Sequence, residues 1–169
     1  MNEKNFDVVI IGAGLIGLLT ALTLSKKRLN VAIIDKFQFS NNNHLLDLRT
    51  TAIAEGSKNF LDTLEIWKKL KIYASPIKKI MVVDRKKFNN IDFINPKEKS
   101  FLGYIIENKY LKKTFIHELL SKNNIKFFEK EDLQTIENTN DHIIARTAKN
   151  SFISKILIAA DGKNSFVRK

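Results

Sequence analysis

The sequence predicts an α/β fold, a parallel sheet packed against helices, with a partly formed β-rich subdomain near residues 77–106. Three observations carry that expectation. A short apolar run, Val8-Val9-Ile10-Ile11, passes directly into a glycine-rich turn and then into a helical pattern. A second apolar run, Val31-Ala32-Ile33-Ile34, ends on an acid, Asp35. A third, at residues 153–159, ends in Ala160-Asp161-Gly162. Continuous apolar runs of this length suit strands buried on both faces, as parallel strands are.

The composition narrows the function classes. The chain has 169 residues, 44% hydrophobic and 28% charged, which suits one globular domain with a real core and excludes wholesale disorder. It has no cysteine, which excludes disulfides, thiolate metal sites and cysteine nucleophiles and is compatible with a reducing compartment. Six glycines and two prolines exclude collagen-like or proline-rich chains. The net charge of +11 invites a nucleic-acid reading. However, of the 29 cations only Arg28, Arg49, Arg85, Arg146 and Arg168 are arginine; the rest are lysines spread along the chain, as on a solvated surface. No nucleic-acid partner is expected, whereas the charge leaves attraction to an anionic membrane surface open. The uncharged stretch at 8–24 is shorter than the roughly 20 apolar residues of a membrane span, and glycines and threonines interrupt it.

Taken in order, the first strand feeds Gly12-Ala13-Gly14-Leu15-Ile16-Gly17, and Leu18, Leu19, Ala21, Leu22 and Leu24 continue a helix toward Lys27. With the strand at 31–34 and Asp35, this is a complete Rossmann-like βαβ unit. Gly12 permits the tight exit from the strand, Gly14 leaves no side chain between backbone and a pyrophosphate, and Gly17 lets helix and sheet approach closely. The helix start offers free N–H groups to phosphate oxygens, and Asp35 can accept ribose hydroxyls. The unit alone leaves NAD and FAD open.

A polar loop follows through Asn41-Asn42-Asn43. Residues 47–53 then lead into a helix bearing Phe60, Leu61, Leu64, Trp67 and Leu70 at helical spacing, with Trp67 in the core. Pro76 interrupts, residues 77–83 and 91–94 form partner strands, and a strand at 103–106 feeds a helix striped with Leu111, Phe115 and Leu119, with Ile116 and Leu120 beside it. A strand at 125–128 makes a second crossover onto the sheet, and residues 136–145 form a hairpin turning at Asn138-Thr139-Asn140-Asp141. The parallel sheet should therefore comprise residues 8–11, 31–34, 125–128 and 153–159. His44, His117 and His142 lack metal-ligand spacing; His117 shares its helix with Lys113, lacks a nearby acid partner, and reads as surface or structural like the others. Ser40, Ser57 and Ser165 lack a nucleophile-elbow pattern.

With these residues in place, the chain resembles the flavin-dependent aromatic hydroxylases, specifically their ubiquinone-biosynthesis branch. Four blocks carry the resemblance in the family's order: the glycine loop with Asp35; Asp47-Leu48-Arg49-Thr50-Thr51-Ala52-Ile53; Gly103-Tyr104-Ile105-Ile106-Glu107-Asn108-Lys109; and Ala160-Asp161-Gly162-Lys163-Asn164-Ser165-Phe166-Val167-Arg168. The first is shared by many dinucleotide proteins, while the last is far more specific.

The resemblance implies one FAD-binding domain over 1–169 with a partial substrate-side β insertion at about 77–106. It implies FAD as cofactor, with Gly12, Gly14 and Gly17 along the pyrophosphate, Asp35 on the adenosine ribose and Arg49 near the flavin end. Lys109 stands where relatives carry arginine; it keeps the charge but not the two-pronged fork. Asp161 and Gly162 would serve FAD and the passing NAD(P)H. In such relatives NAD(P)H reduces the flavin, and one oxygen atom of O₂ is delivered to a polyprenylphenol ring. The cofactor carries that chemistry, so no side chain here is assigned as acid, base or nucleophile. Relatives continue for more than this length again, so the chain matches an N-terminal portion: a shortened protein, a remnant, or a split-gene piece completed by a second chain. The expected location is cytoplasmic, with peripheral attachment to the inner membrane surface left open.

Overall fold

The computed structural model describes residues 2–38, 47–83, 90–95 and 101–168. The polar-loop reading through Asn41-Asn42-Asn43, with Ser40 and His44, therefore lies outside the described residues for the most part, as does Arg85. The chain divides into two compact units, Met1–Leu46 with Lys112–Lys169, and Asp47–Leu111.

The first unit is built on a six-stranded sheet. Strand β1 (Asn2–Ile11) leads through the glycine loop into helix α1 (Leu15–Ser25) and returns in β2 (Val31–Asp35). Val8 aligns with Val31 and Ile11 with Ile34 in a parallel pair. Residues 8–11 of β1 and 31–34 of β2 are buried on both faces, which is why the sequence shows no polar alternation there. Val9, Ile11, Ala32 and Ile34 join one core cluster; Val8, Ile10 and Ile33 alternate to the other face, and the buried side of α1 is formed by Leu18, Ala21 and Leu22.

Later in the chain, β8 (Ile125–Glu129) pairs in parallel with β2, and β11 (Asn150–Ala159) pairs in parallel with β1 along its whole length. The four parallel strands are those the sequence predicts, in the order β8-β2-β1-β11. Strands β9 (Leu133–Asn138) and β10 (Ile143–Thr147) form the expected hairpin and extend the sheet antiparallel from β11. From these strands Leu133, Ala145 and Phe152 pack on the Val9–Ile34 cluster, and Phe152 meets Phe128 edge-on at 4.7 Å between ring centroids.

In the second unit, β3 (Thr50–Ala54), β4 (Ser75–Ile77) and β7 (Gly103–Glu107) make an antiparallel sheet in the order β3-β7-β4. Pro76 does not end a strand here; it sits in β4, an edge strand that tolerates its missing N–H. A separate hairpin joins β5 (Lys79–Val83) to β6 (Asn90–Ile94).

The single helix expected through Leu70 is two, α2 (Glu55–Thr63) and α3 (Trp67–Leu70). Glu65 adopts a left-handed conformation at φ 62°, its N–H donates to the Asp62 carbonyl, and that of Ile66 donates to the Leu61 carbonyl. That pair of bonds is a Schellman stop with glutamate in the position glycine usually takes. The periodicity concealed the break because Leu61, Leu64, Trp67 and Leu70 are buried regardless, while Phe60 is largely exposed. Trp67 is core, edge-on to Tyr104 at 4.8 Å.

Helix α4 (Asn108–Leu120) buries Leu111, Phe115, Ile116 and Leu119 as its stripe predicts, but leaves Leu120 exposed.

Candidate functional site

The carboxyl ends of β1, β2 and β11 converge on the glycine loop. Ala160 N–H donates to the Ile11 carbonyl and Gly12 N–H to that of Ile34, so the loop is tied to both neighbours of β1. Gly12 has φ +106°, and a Cβ there would lie 2.4 Å from the Ala160 carbonyl oxygen. A Cβ on Gly17 would lie 1.9 Å from the Gly12 oxygen. Both positions are therefore closed to any side chain by the fold itself. Gly14 differs: its φ of −72° suits any residue, and a Cβ there would meet nothing within 4 Å. The space beside Gly14 is open, α1 has no side-chain cap, and its first turn carries no acid. That combination accommodates an anionic group against the backbone.

Asp35 faces the same loop. One carboxylate oxygen accepts the Ala13 N–H at 2.6 Å, and the other accepts the Phe37 N–H at 2.8 Å. Each oxygen retains a further lone-pair direction, so ribose hydroxyls could be accepted in addition. Asp161 follows β11 beside Ala160. Burial works to raise its pKa, but hydrogen bonds from the Ser165 hydroxyl and the Phe166 and Val167 amides outweigh this and hold it below the ordinary value. The amide of Phe166 donates to it at 2.7 Å. Gly162, at φ +82°, makes the turn that lets the chain fold back onto that carboxylate. Thus Gly12, Gly14, Gly17, Asp35, Asp161 and Gly162 belong to one unit, grouped around the ends of three parallel strands.

Arg49 and Lys109 belong to the other unit. Arg49 forms a two-pronged pair with Asp47, Nε to Oδ1 at 2.8 Å and a terminal nitrogen to Oδ2 at 2.9 Å. The Asp47 hydrogen bond and charge raise the already high pKa of the guanidinium. Lys109 pairs with Glu107 at 2.6 Å and lies over the Tyr110 ring, and the Glu107 bond raises its pKa. Between them is Asn108, a residue that sequence reasoning passed over. It is buried, its side-chain Oδ1 accepts the Thr51 hydroxyl at 2.6 Å, and its backbone N–H donates to the Arg49 carbonyl at 2.9 Å. The only signal available beforehand was that Asn108 lies in the same short block as Lys109.

One reading is corrected. His117 does have an acid neighbour, Glu118, with 3.5 Å between Nδ1 and Oε1, yet its side chain is largely in solvent.

Residues 5–169 match the family model described as FAD binding domain. The chain belongs to that family. It is 24% identical to the ubiquinone biosynthesis monooxygenase COQ6 of Dictyostelium discoideum, over 100% of this chain and 40% of that protein. It is 27% identical to the ubiquinone hydroxylase UbiL of Rhodospirillum rubrum, over 99% of this chain and 39% of that protein. The chain thus spans about 40% of the length of the curated relatives it matches. Among solved structures, the p-nitrophenol 4-monooxygenase PnpA of Pseudomonas putida superposes with a TM-score of 0.81 at 19% identity, over 99% of this chain and 43% of that one. The anhydrotetracycline hydroxylase OxyS of Streptomyces rimosus does so at 0.80 and 14%, over 98% and 33%. These likenesses show that the chain has the fold of the matched part of those two proteins.

FAD is the group the family implies, and the loop fits it: the open backbone at Gly14 and the uncapped start of α1 are what a pyrophosphate needs. Among the described residues, no helix is long and apolar enough to cross a membrane.

Proposed function

We propose that this chain forms the FAD-binding part of an NAD(P)H-driven monooxygenase that hydroxylates the aromatic ring of a polyprenylphenol in ubiquinone biosynthesis. The match to the FAD binding domain family over residues 5–169 carries the reading, and the relatives that act in ubiquinone biosynthesis narrow it. Residues 1–169 serve as the cofactor domain, and the β-rich segment at about 77–106 lies on the substrate side.

Gly12 and Gly17 shape the loop, and Gly14 gives the pyrophosphate its approach to the backbone. The amides at the start of α1 neutralise part of the phosphate charge without a cationic side chain. Asp35 orients the loop through Ala13 and accepts the adenosine ribose hydroxyls. Asp161 and Gly162 hold the turn beside Ala160 in shape for the cofactor and for the nicotinamide reductant. Arg49 and Lys109 supply positive charge toward the flavin end; Asp47 and Glu107 preset their orientation, and each cation must share or exchange that partner to take an anion. When bound, FAD supplies the redox chemistry between reductant, O₂ and ring, and the protein supplies position and charge.

The test is to purify the chain, add FAD, remove the excess and record the visible spectrum. A retained yellow flavin band supports the reading; retention of NAD with no flavin overturns it. Quantifying hydroxylated polyprenylphenol against peroxide, with NADH and NADPH in turn, tests the activity and the reductant.

A further inference from the structure

Glu131 is a buried acid that the reading above does not use. It lies in the turn between β8 and β9, where Lys130 is held left-handed at φ 54°. Both its carboxylate oxygens are engaged: one accepts the Thr147 hydroxyl at 2.5 Å, the other the Asn150 side-chain amide at 2.6 Å. Thr147 is itself fully buried, and its hydroxyl oxygen accepts the backbone N–H of Asn150 at 3.1 Å. The Glu131 side chain therefore staples the β8–β9 turn to the β10–β11 turn, at the point where the β9–β10 register shifts between Arg146 and Thr147.

The backbone of Glu131 points elsewhere. Its N–H donates to the carbonyl of Asp35 at 3.1 Å, two residues beyond Glu129, whose pairing with Asp35 ends the β2–β8 ladder. Asp35 in turn grips the Ala13 N–H of the glycine loop. Hydrogen bonds linked through the covalent frames of Glu131 and Asp35 thus connect the Thr147–Asn150 turn with the loop. At its Thr147–Glu131 end this connection is buried, and removing the carboxylate takes a partner from both the Thr147 hydroxyl and the Asn150 amide.

We propose that Glu131 is a positioning residue for the adenosine half of the cofactor, fixing through Asp35 the geometry of the carboxylate and of the glycine loop. The inference rests on the proposed FAD site. It gives the carboxylate a role distinct from holding two turns together: the effect must pass through Asp35.

The experiment measures the dissociation constants of FAD and of ADP for the full chain by equilibrium titration, for wild type, Glu131→Ala, Asp35→Ala and the double variant. Glu131→Ala should raise both constants about tenfold, which is about 1.4 kcal/mol and within the range of coupled networks. The double variant should be little weaker than Asp35→Ala alone. Glu131→Gln should restore most of the affinity, because its amide can donate to the Thr147 oxygen while its carbonyl still accepts from Asn150. If Glu131→Ala is unfolded by circular dichroism, Thr147→Val takes its place in the same cycle and should give the same non-additivity. Affinities that multiply in the double variant, or a folded Glu131→Ala that binds as wild type, overturn this inference and leave the FAD site standing. A wild-type chain that binds neither FAD nor ADP overturns the site and the inference together.

Discussion

In the first unit, β1 and β2 bury every side chain from Val8 to Ile11 and from Val31 to Ile34, whereas in the second unit every residue of β5 and β6 is exposed. Both regions are β-branched and apolar, and both pair their backbones. The difference is what lies on their faces. One face of β1 and β2 is covered by α1, and the other packs with Leu133, Ala145 and Phe152, so side chains and backbone are satisfied together. The β5–β6 hairpin leaves Val82, Val83, Ile91 and Phe93 in solvent, so its backbone pairing stands without matching burial. Apolar sequence thus identifies strands in both regions but reports burial in only one of them. The cofactor-related residues follow the same division. In the first unit Gly12 and Gly17 are locked by backbone geometry and Asp35 and Asp161 accept backbone amides, whereas Arg49 and Lys109 are held by side-chain pairs.

That contrast is most sharply broken at Gly17. Gly17→Ala places a methyl group 1.9 Å from a backbone oxygen, which no side-chain rotation relieves. The variant should lose roughly 3 kcal/mol or more of stability, the upper range of overpacking, and should lose FAD binding with it. Thermal unfolding followed by circular dichroism measures this; a melting temperature within a degree or so of wild type would mean the loop is not the rigid element described here.

Gly14 provides the matched control. Gly14→Val introduces a larger side chain into open space at a permissive φ, so the apo chain should unfold as wild type does, apart from a few tenths of a kcal/mol of backbone and capping effects. FAD affinity should nevertheless fall by about two orders of magnitude, since the pyrophosphate must approach where the isopropyl group now sits, at an overpacking cost of roughly 3 kcal/mol. Undiminished flavin retention in an equilibrium titration would place the cofactor elsewhere.

The two glycine effects also mark how far the sequence could be read. The four parallel strands, α1 and the β9–β10 hairpin were legible because double-faced burial and glycine turns leave unambiguous residue patterns. Sequence could not distinguish Gly14 from Gly12 and Gly17 by cost, because the collisions come from Gly12 and Ala160, and Ala160 is distant along the chain. The stop at Glu65 was invisible because a Schellman motif with a non-glycine residue keeps the apolar spacing intact. Asn108, Asp47 and Glu131 were missed for a shared reason: polar residues that matter by hydrogen bonding show no periodicity, and their partners lie up to 61 residues away. Arg49 and Lys109 were singled out by resemblance, and what the structure adds is the acid that each one holds.

In the second unit the corresponding perturbation is Asn108→Ala. It removes a buried amide and leaves the half-buried Thr51 hydroxyl without its acceptor, which should cost about 1 kcal/mol. Hydrogen exchange should rise in β3 and at the β7–α4 junction, which the Thr51–Asn108 pair ties together, while the amides of β1 and β2 keep their protection. Equal loss of protection in both sheets would show that the two units unfold as one, and the contrast drawn above would then describe packing but not stability.

The smallest expected effect is a pH dependence at Asp161, where the first unit uses a side chain rather than a glycine to fix its backbone. Hydrogen bonds from Ser165, Phe166 and Val167 favour the ionised carboxylate in the folded chain, so its folded pKa lies below the ordinary 3.8 despite burial. A depressed acid stabilises the fold when ionised: the contribution is complete above the unfolded value of about 3.9 and fades as pH falls through the folded value. Asp161→Asn retains an oxygen acceptor but has no charge to lose. The difference in melting temperature between wild type and Asp161→Asn should therefore be constant from about pH 7 to about pH 5 and shrink below about pH 4. Because the other carboxylates titrate in both proteins, the difference isolates this one. A difference that grows as the solution is acidified would mean the Ser165–Val167 turn favours the protonated acid, and the turn beside Ala160 would then need another explanation for its shape.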